Sequence, residues 1–310
     1  MTDTDINTHS HAEDFEFEPC DEINEGEARA ALEGTRGPWS GLIQDAPGCS
    51  TSIVNGLSQQ LIHQMNVITA NILVSCDDLN VDLESAAWPF IQPPAKEALA
   101  RAIKNRGKTL KINSAYRTIA QQFLLYKWGR GCGYGIVATP GKSNHQSGLA
   151  LDIDDSAGWR PYLEAQGWKW FGPKDPPHFD YISGGKDIRG TAMLAFQKLW
   201  NKNNPNAKIL EDGVYGNQVE SCLNKSPAEG FNIAPWDEHP RTLRLCKPML
   251  QGSDVQKVQA ALIKAGCATD TDGIFGQKMD SAVKQYQQQQ GLVVDGIVGP
   301  ATLSKLLSIK

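Results

Sequence analysis

The sequence of 310 residues lacks long apolar runs, closely spaced cysteines and a strong excess of positive charge. No stretch of about 18 uninterrupted apolar residues occurs, which argues against a transmembrane helix. The seven cysteines are scattered without a C-x-x-C pair, which argues against a structural zinc knuckle and predicts no disulfide framework. We therefore expect free or buried thiols, although Cys132, between two glycines, is able to pair in an oxidising compartment.

The N-terminus also lacks the pattern of a secretory signal peptide, because no basic start and no apolar run precede a small-residue cleavage site. The expectation is a protein made in the cytoplasm that does not leave by that route.

Acidic charge is concentrated at the N-terminus. Residues 1–33 carry eleven acidic side chains and one basic one, which leaves 24 acidic and 29 basic residues, a net +5, for the remainder. The simplest interpretation of residues 1–37 is a flexible, solubilising arm, and the alternative is a docking segment for a secretion or injection machine. The mildly basic remainder suits an anionic polymer, but no nucleic-acid-binding motif is present.

Ordinary globular composition, with 40% apolar and 21% charged residues, predicts two domains and a sizeable core. Helical and strand patterns alternate irregularly between residues 38 and 185, which predicts an α+β domain with a small mixed or antiparallel sheet and flanking helices. In this domain, Gly107 is expected to end a helix over 96–106, and Thr118 to cap the next helix. A glycine-rich loop follows at 129–142.

A repeat marks the C-terminal part. Asp272-Gly273-Ile274-Phe275-Gly276 returns 23 residues later as Asp295-Gly296-Ile297-Val298-Gly299, each after a helical pattern. This predicts a helical repeat domain at 246–310, whose units bury a face by packing on one another. The segment at Asp212 resembles a third, diverged copy within a helical and linker region at 186–245.

Two short clusters between Ser143 and Tyr181 contain the candidate metal ligands His145, Asp152 and His178. Two imidazoles and a carboxylate suit a catalytic zinc site, which takes three protein ligands and a water. Asp175 is a further carboxylate, and on a strand Asp180 shares a face with His178 and is able to support the site from outside. Spacing alone does not exclude a chance grouping, and it does not choose Asp152 over its neighbours at 154 and 155.

Three motifs in order resemble the zinc D-alanyl-D-alanine carboxypeptidases and endopeptidases of peptidoglycan, the VanY-like LAS metallopeptidases. They are Ser-Ala-Tyr-Arg-Thr at 114–118 with Gln122, Ser-x-His-x-x-Gly-x-Ala-x-Asp at 143–152, and Asp-x-x-His-x-Asp-Tyr at 175–181. The likeness spans about residues 85–183. The C-terminal repeat separately resembles the peptidoglycan-binding domain of cell-wall hydrolases, so both modules suggest the same polymer.

The resemblance implies roles for individual residues. His145, Asp152 and His178 would bind Zn²⁺, and Asp175, where many relatives have Glu, would be the general base and acid. Arg117 would polarise the scissile carbonyl or hold the peptide, while Gln122 and Ser143 match substrate-binding positions in some relatives.

The resulting expectation is zinc-dependent hydrolysis of peptidoglycan stem peptides, most simply as a D-Ala-D-Ala carboxypeptidase, at the cell wall or in the periplasm after lysis, injection or non-standard export. An endopeptidase and a non-catalytic wall-binding protein remain the alternatives. The sequence leaves open whose wall is attacked, the oligomeric state and the role of the cysteines.

Overall fold

The computed structural model describes residues 39–134 and 137–308, so the predicted acidic arm lies outside the described residues. The described strands are β1 Val74–Ser75, β2 Val81–Leu83, β3 Phe90–Ile91, β4 Leu110–Ser114, β5 Ala150–Ile153, β6 Trp168–Trp170 and β7 His178–Tyr181. The described α-helices are α1 Asn55–Ile68, α2 Pro93–Arg106, α3 Ile119–Trp128, α4 Ser156–Glu164, α5 Arg189–Asn203, α6 Asn217–Asn224, α7 Ser253–Lys264, α8 Gln277–Gln289 and α9 Pro300–Leu307. None of these helices combines the length and apolar character needed to cross a bilayer.

A five-stranded mixed sheet organises the first half of the chain and confirms the predicted α+β class. Its strand order is β2-β4-β5-β7-β6, and β2 runs parallel to β4 while the other neighbours are antiparallel. Strands β1 and β3 form a separate antiparallel pair.

The two faces of the sheet carry different chemistry. Leu151 and Ile153 of β5, with Phe179 and Tyr181 of β7, belong to one apolar core, which also contains buried residues of α2 and α4. Because side chains alternate along a strand, the intervening residues Asp152, His178 and Asp180 point to the opposite face. The core thus fixes which side of the sheet holds the polar cluster.

Local signals at the helix ends explain most of the boundaries near the site. Gly107 ends α2 in the left-handed conformation with φ of 67°, as the sequence predicts. Thr118 and Gln121 form a reciprocal capping box at the start of α3, so the predicted Thr118 cap is confirmed. The predicted start of α2 at residue 96 was wrong, because this helix begins three residues earlier at Pro93, where a missing backbone N–H costs nothing.

A second apolar core is formed by helices that precede, interrupt and follow the strands of the sheet in sequence. Buried residues of α1, α3, α5 and α6 pack together in it. A disulfide joins Cys49 to Cys132 at the end of α3, where free thiols were the default expectation. The four other described cysteines are free.

A buried glutamine holds the Asp-Gly turn of the C-terminal repeat. The Gln259 amide nitrogen donates to Asp272 Oδ1 at 2.8 Å and to the Ile274 carbonyl at 3.0 Å, and Gln259 Oε1 accepts from the Gly273 N–H at 2.8 Å. Asp272 Oδ1 also accepts from the Ile274 N–H at 2.9 Å. We call this arrangement the glutamine clamp.

The glutamine clamp occurs three times among the residues that the structure describes. It recurs with the same donors and acceptors around Gln287 with Asp295-Gly296-Ile297, and around Gln197 with Asp212-Gly213-Val214. The segment carrying Gln197 and Asp212 therefore has the local construction of a repeat unit, although it packs with α1 and α3 and not with the other two copies.

The C-terminal helical unit is docked on α1. The Gln59 amide nitrogen donates to the Met249 carbonyl at 2.8 Å, and Gln59 Oε1 accepts from Arg241 at 2.9 Å and from the Gln251 N–H at 2.8 Å. Arg244 also donates to Asp77 Oδ2 at 2.6 Å. The proline-rich stretch between the units is therefore held against the sheet domain by hydrogen bonds.

Candidate metal centre

The register of the central strands brings two of the three candidate ligands together. Asp152 of β5 and His178 of β7 are direct partners across an antiparallel pair. Their side chains share a face, and His178 Nδ1 lies 2.9 Å from Asp152 Oδ1. A slip of one residue would turn one of the two side chains into the apolar core.

His145 reaches the same point from a 3₁₀ turn, Asn144–Ser147, just before β5. Its Nε2 lies 3.2 Å from Asp152 Oδ2. The turn ends at Gly148 with φ of 67°, and a Cβ there would come within 2.8 Å of Leu73 Cδ2. Gly148 is thus required both by its backbone conformation and by close packing.

Each imidazole is held by an acceptor on its far side. His145 Nδ1 lies 2.9 Å from the Ala115 carbonyl oxygen, and His178 Nε2 lies 3.0 Å from Asp180 Oδ1. In the neutral tautomers that donate these N–H groups, His145 Nε2 and His178 Nδ1 face Asp152 with lone pairs, so a cation or a proton must lie between them and the carboxylate. Such outer partners set the tautomer and orientation of metal-binding histidines.

The electrostatics of the cluster favour a positive charge at its centre. Burial alone raises the pKa of Asp152, but the neighbouring His145 and His178 rings outweigh it and hold that pKa far below its usual range. Burial alone lowers the pKa of His178, but hydrogen bonds to Asp152 and Asp180 raise it to about 10. A carboxylate that stays ionised while buried is well suited to bind a cation.

The donor set fits a zinc ion. The ligand atoms of His145, Asp152 and His178 all lie within 4.8 Å of one another, and in the described part of the chain no other group of this kind occurs. Both imidazoles face the same carboxylate, since His178 Nδ1 lies 2.9 Å from Asp152 Oδ1 and His145 Nε2 lies 3.2 Å from Asp152 Oδ2. Both histidines are buried.

Asp175 lies on the tight turn that leads into β7. The Asp175 N–H donates to the Gly172 carbonyl at 3.2 Å, and the His178 N–H donates to the Asp175 carbonyl at 3.1 Å. Burial, followed by the negative charge of Asp152, raises the pKa of Asp175 above its ordinary value. The turn therefore places a carboxyl group with an increased proton affinity in the electrostatic reach of the ligands.

Arg117 and Gln122 form a hydrogen-bonded chain at the start of α3. Arg117 Nη1 donates to Gln122 Oε1 at 3.3 Å, and the Gln122 amide nitrogen donates to the Ala138 carbonyl at 2.7 Å. The backbone N–H of Arg117 also donates to the backbone carbonyl of His145 at 3.2 Å, which connects this segment to the turn that carries a candidate ligand. Ser143 is buried at the start of the turn that carries His145.

The neighbouring acidic residues have other partners. Asp154 accepts from Asn113 at 2.7 Å and pairs with Lys111 at 3.0 Å. Asp155 caps α4 and pairs with Arg106. Asp154 and Asp155, which spacing alone could not distinguish from Asp152, therefore have partners outside the triad.

Sequence reasoning missed several supporting groups. The Ala115 carbonyl is a backbone atom and leaves no signal in the residue types. Asn144 donates to Asp180 at 3.1 Å, and Ser114 Oγ lies 3.4 Å from His145 Nδ1. Both residues lie in or beside the motifs quoted above, so motif membership was the one signal able to find them.

Comparison with protein families agrees with this geometry. Residues 92–169 match the family described as VanY, D-alanyl-D-alanine carboxypeptidase, and residues 251–306 match the family described as a putative peptidoglycan binding domain. Residues 92–169 are thus similar to the VanY family, and residues 251–306 are similar to the peptidoglycan-binding family.

Three curated relatives share part of the sequence. A probable N-acetylmuramoyl-L-alanine amidase of Bacillus licheniformis is 32% identical over 33% of this chain and 31% of its own length. The amidase CwlL of the same organism is 29% identical over 33% and 32%, and the amidase CwlM of Mycobacterium tuberculosis is 45% identical over 32% and 23%. The chain therefore spans about a third or less of the length of these relatives.

Proposed function

We propose that this protein is a zinc-dependent peptidase that hydrolyses peptide bonds in peptidoglycan stem peptides, most simply as a D-Ala-D-Ala carboxypeptidase. The supporting observation is the triad of the buried His145 and His178 with the half-buried Asp152, whose imidazoles are both oriented from outside, in a segment that overlaps the VanY match. The peptidoglycan-binding match supports the same polymer as substrate.

Zinc bound by the triad would supply a water of lowered pKa and polarise the scissile carbonyl. Asp175 is the residue that would take the proton from this water and deliver it to the leaving amine. Its raised pKa suits both steps, because a general base and acid works best when its pKa lies close to the working pH.

Arg117 would hold the substrate carbonyl or the developing oxyanion. The Arg117 guanidinium donates to Gln122 Oε1 at 3.3 Å and to Ser114 Oγ at 3.4 Å, so the position of the guanidinium is set before substrate binds. Preorganised donors of this kind stabilise the charge of the transition state. Gln122 and Ser143 would contact the terminal part of the stem peptide.

The domain organisation belongs to the same proposal. Residues 38–185 would form the peptidase unit, and 246–310 the wall-binding unit, with the segment 186–245 between them. Because Gln59 holds the second unit and Asp77 holds the end of the segment before it, wall binding would present substrate in a restricted orientation and raise its effective concentration.

The test is incubation of the protein with purified muropeptides, with and without a chelator, read by mass spectrometry. Loss of one terminal D-Ala, abolished by chelator and restored by Zn²⁺, is the expected result. Split cross-links would assign an endopeptidase. Release of the whole stem peptide from the sugar, the reaction that the relatives' names describe, or no chelator-sensitive product, would overturn the proposal.

A further inference from the structure

A groove runs between α3 and α6, outside the metal centre. A cavity of about 470 Å³ lies between the two helices, and an open depression of about 520 Å³ adjoins it on the α6 side, sharing Glu220 and Asn224 with it. Tyr126, Lys127 and Arg130 line one wall of the first cavity. The metal ligands do not contribute to either cavity, so the groove needs an explanation of its own.

We propose that this groove is a second peptidoglycan-binding site, which takes the glycan strand. The inference rests on the proposed function for the identity of the polymer. It assigns to the groove the N-acetylated amino sugars, and to the metal centre the peptide that they carry.

The first argument is the repeat unit to which α6 belongs. This helix follows the Asp212-Gly213 turn, which is held by the same glutamine clamp as the two turns inside the peptidoglycan-binding match. The match itself covers 251–306 and does not reach α6. A third unit of the same construction is therefore fused to the catalytic domain, and its second helix forms one wall of the groove.

The second argument is the chemistry of the walls. The Tyr126 side chain is 43% exposed, so its ring is available to stack on the apolar face of a sugar. Opposite it, Asn224 is oriented by Lys127, which donates to its carbonyl oxygen. Glu220 is oriented by Tyr215, whose hydroxyl donates to it at 3.1 Å. Oriented amide and carboxylate groups beside an aromatic ring suit hydroxyl and acetamido groups.

The third argument is the position of the groove along α3. Tyr126 lies one turn after Gln122, a rise of about 6 Å along the helix. At the other edge, Val137 lines the groove next to Ala138, whose carbonyl binds Gln122. A sugar at Tyr126 would therefore lie one helical turn from a proposed substrate-binding residue, close enough for its attached peptide to enter the site.

Hydrogen exchange of the full-length, metal-free protein tests binding without reference to activity. The probe is a peptide-free oligosaccharide of alternating N-acetylated amino sugars. We expect protection of the segments 123–130 and 217–224, lost in Tyr126→Ala and kept in Tyr126→Trp. Tyr162→Ala, which removes a similarly exposed tyrosine from α4, is the matched control.

Kinetics supply the second readout. Tyr126→Ala should raise KM about tenfold for a stem peptide attached to a tetrasaccharide, the loss expected for one aromatic anchor, and leave kinetics on the free stem peptide unchanged. The proposal is overturned if the oligosaccharide protects neither segment, if free stem peptide protects them instead, or if KM is unchanged. Hydrolysis of neither substrate by the wild-type protein would refute the proposed function alone, because the exchange result stands independently.

Discussion

The metal centre and the three glutamine clamps are both built from polar side chains inside the protein. The hydrogen-bonding groups of these side chains find different kinds of partner in the two regions. In the clamps, Gln197, Gln259 and Gln287 are each about 1% exposed, and each donates to and accepts from the turn that it holds. In the metal centre, the two imidazoles direct their remaining nitrogens at the same carboxylate. Buried groups that satisfy one another hold a fold together, whereas buried groups that converge on a common point create a binding site.

This contrast has an energetic basis. A neutral amide in a clamp replaces its hydrogen bonds to water with bonds to the protein, so burial costs little. A buried carboxylate between two imidazoles requires a positive charge nearby, which a cation or a proton supplies. The substitutions below should therefore separate the two regions, since each should damage one and spare the other.

The largest effect is expected from His145→Ala. Removal of one of three ligands should eliminate stoichiometric zinc and reduce hydrolysis by about a thousandfold or more, because the metal contributes several kcal/mol of transition-state stabilisation. Zinc content by mass spectrometry and muropeptide hydrolysis measure the two effects. His63→Ala is the control, since His63 contacts the His239 carbonyl far from the triad in sequence. Activity retained by metal-stripped His145→Ala protein would disprove the ligand assignment.

Asp175→Asn should separate catalysis from metal binding. Without a general base, hydrolysis should fall by about 10²- to 10⁴-fold, while zinc content stays at the wild-type level. The control Asp78→Asn removes a surface carboxylate that pairs with Lys96. If Asp175→Asn hydrolyses muropeptides at the wild-type rate, the proton-transfer role is wrong, whatever the zinc content.

Asp180→Asn should weaken zinc binding, although Asp180 is not itself a proposed ligand. An amide holds the His178 ring less firmly than a carboxylate does, so zinc affinity should fall by about 10- to 100-fold. Competition with a fluorescent chelator measures this change. Asp154→Asn is a matched control on the same face of the sheet, where the carboxylate pairs with Lys111. Equal zinc affinities in the two variants would contradict the supporting role of Asp180.

Gln287→Ala should affect stability alone. It leaves the N–H of the buried Gly296 without its Gln287 acceptor, and we expect the C-terminal unit to lose about 1–3 kcal/mol of unfolding free energy. Urea unfolding and hydrogen exchange measure the loss. The exposed Gln285 on the same helix provides the control substitution Gln285→Ala. Zinc affinity should not change, and a reduced affinity would show that the two regions are coupled.

The sequence predicted the candidate ligands better than it predicted the surrounding helix start and disulfide. The motifs predicted the candidate ligands in order, and strand alternation predicted that His178 and Asp180 share a face. The helix start at Pro93 was missed, because a proline suits a loop and a first helical turn equally well. The Cys49–Cys132 disulfide was also missed, since a separation of 83 residues carries no local signal.

By itself, the sequence determined which residues have chemistry to offer and which turns repeat, because residue type and period are local properties of the chain. The motif at 143–152 selected Asp152 by resemblance, and only the tertiary structure supplies the physical reason. Strand register places Asp152 beside His178, while Lys111 and Arg106 pair with Asp154 and Asp155, and all of these are long-range contacts. Packing likewise decided that the third repeat unit lies against α3 and forms a groove with it.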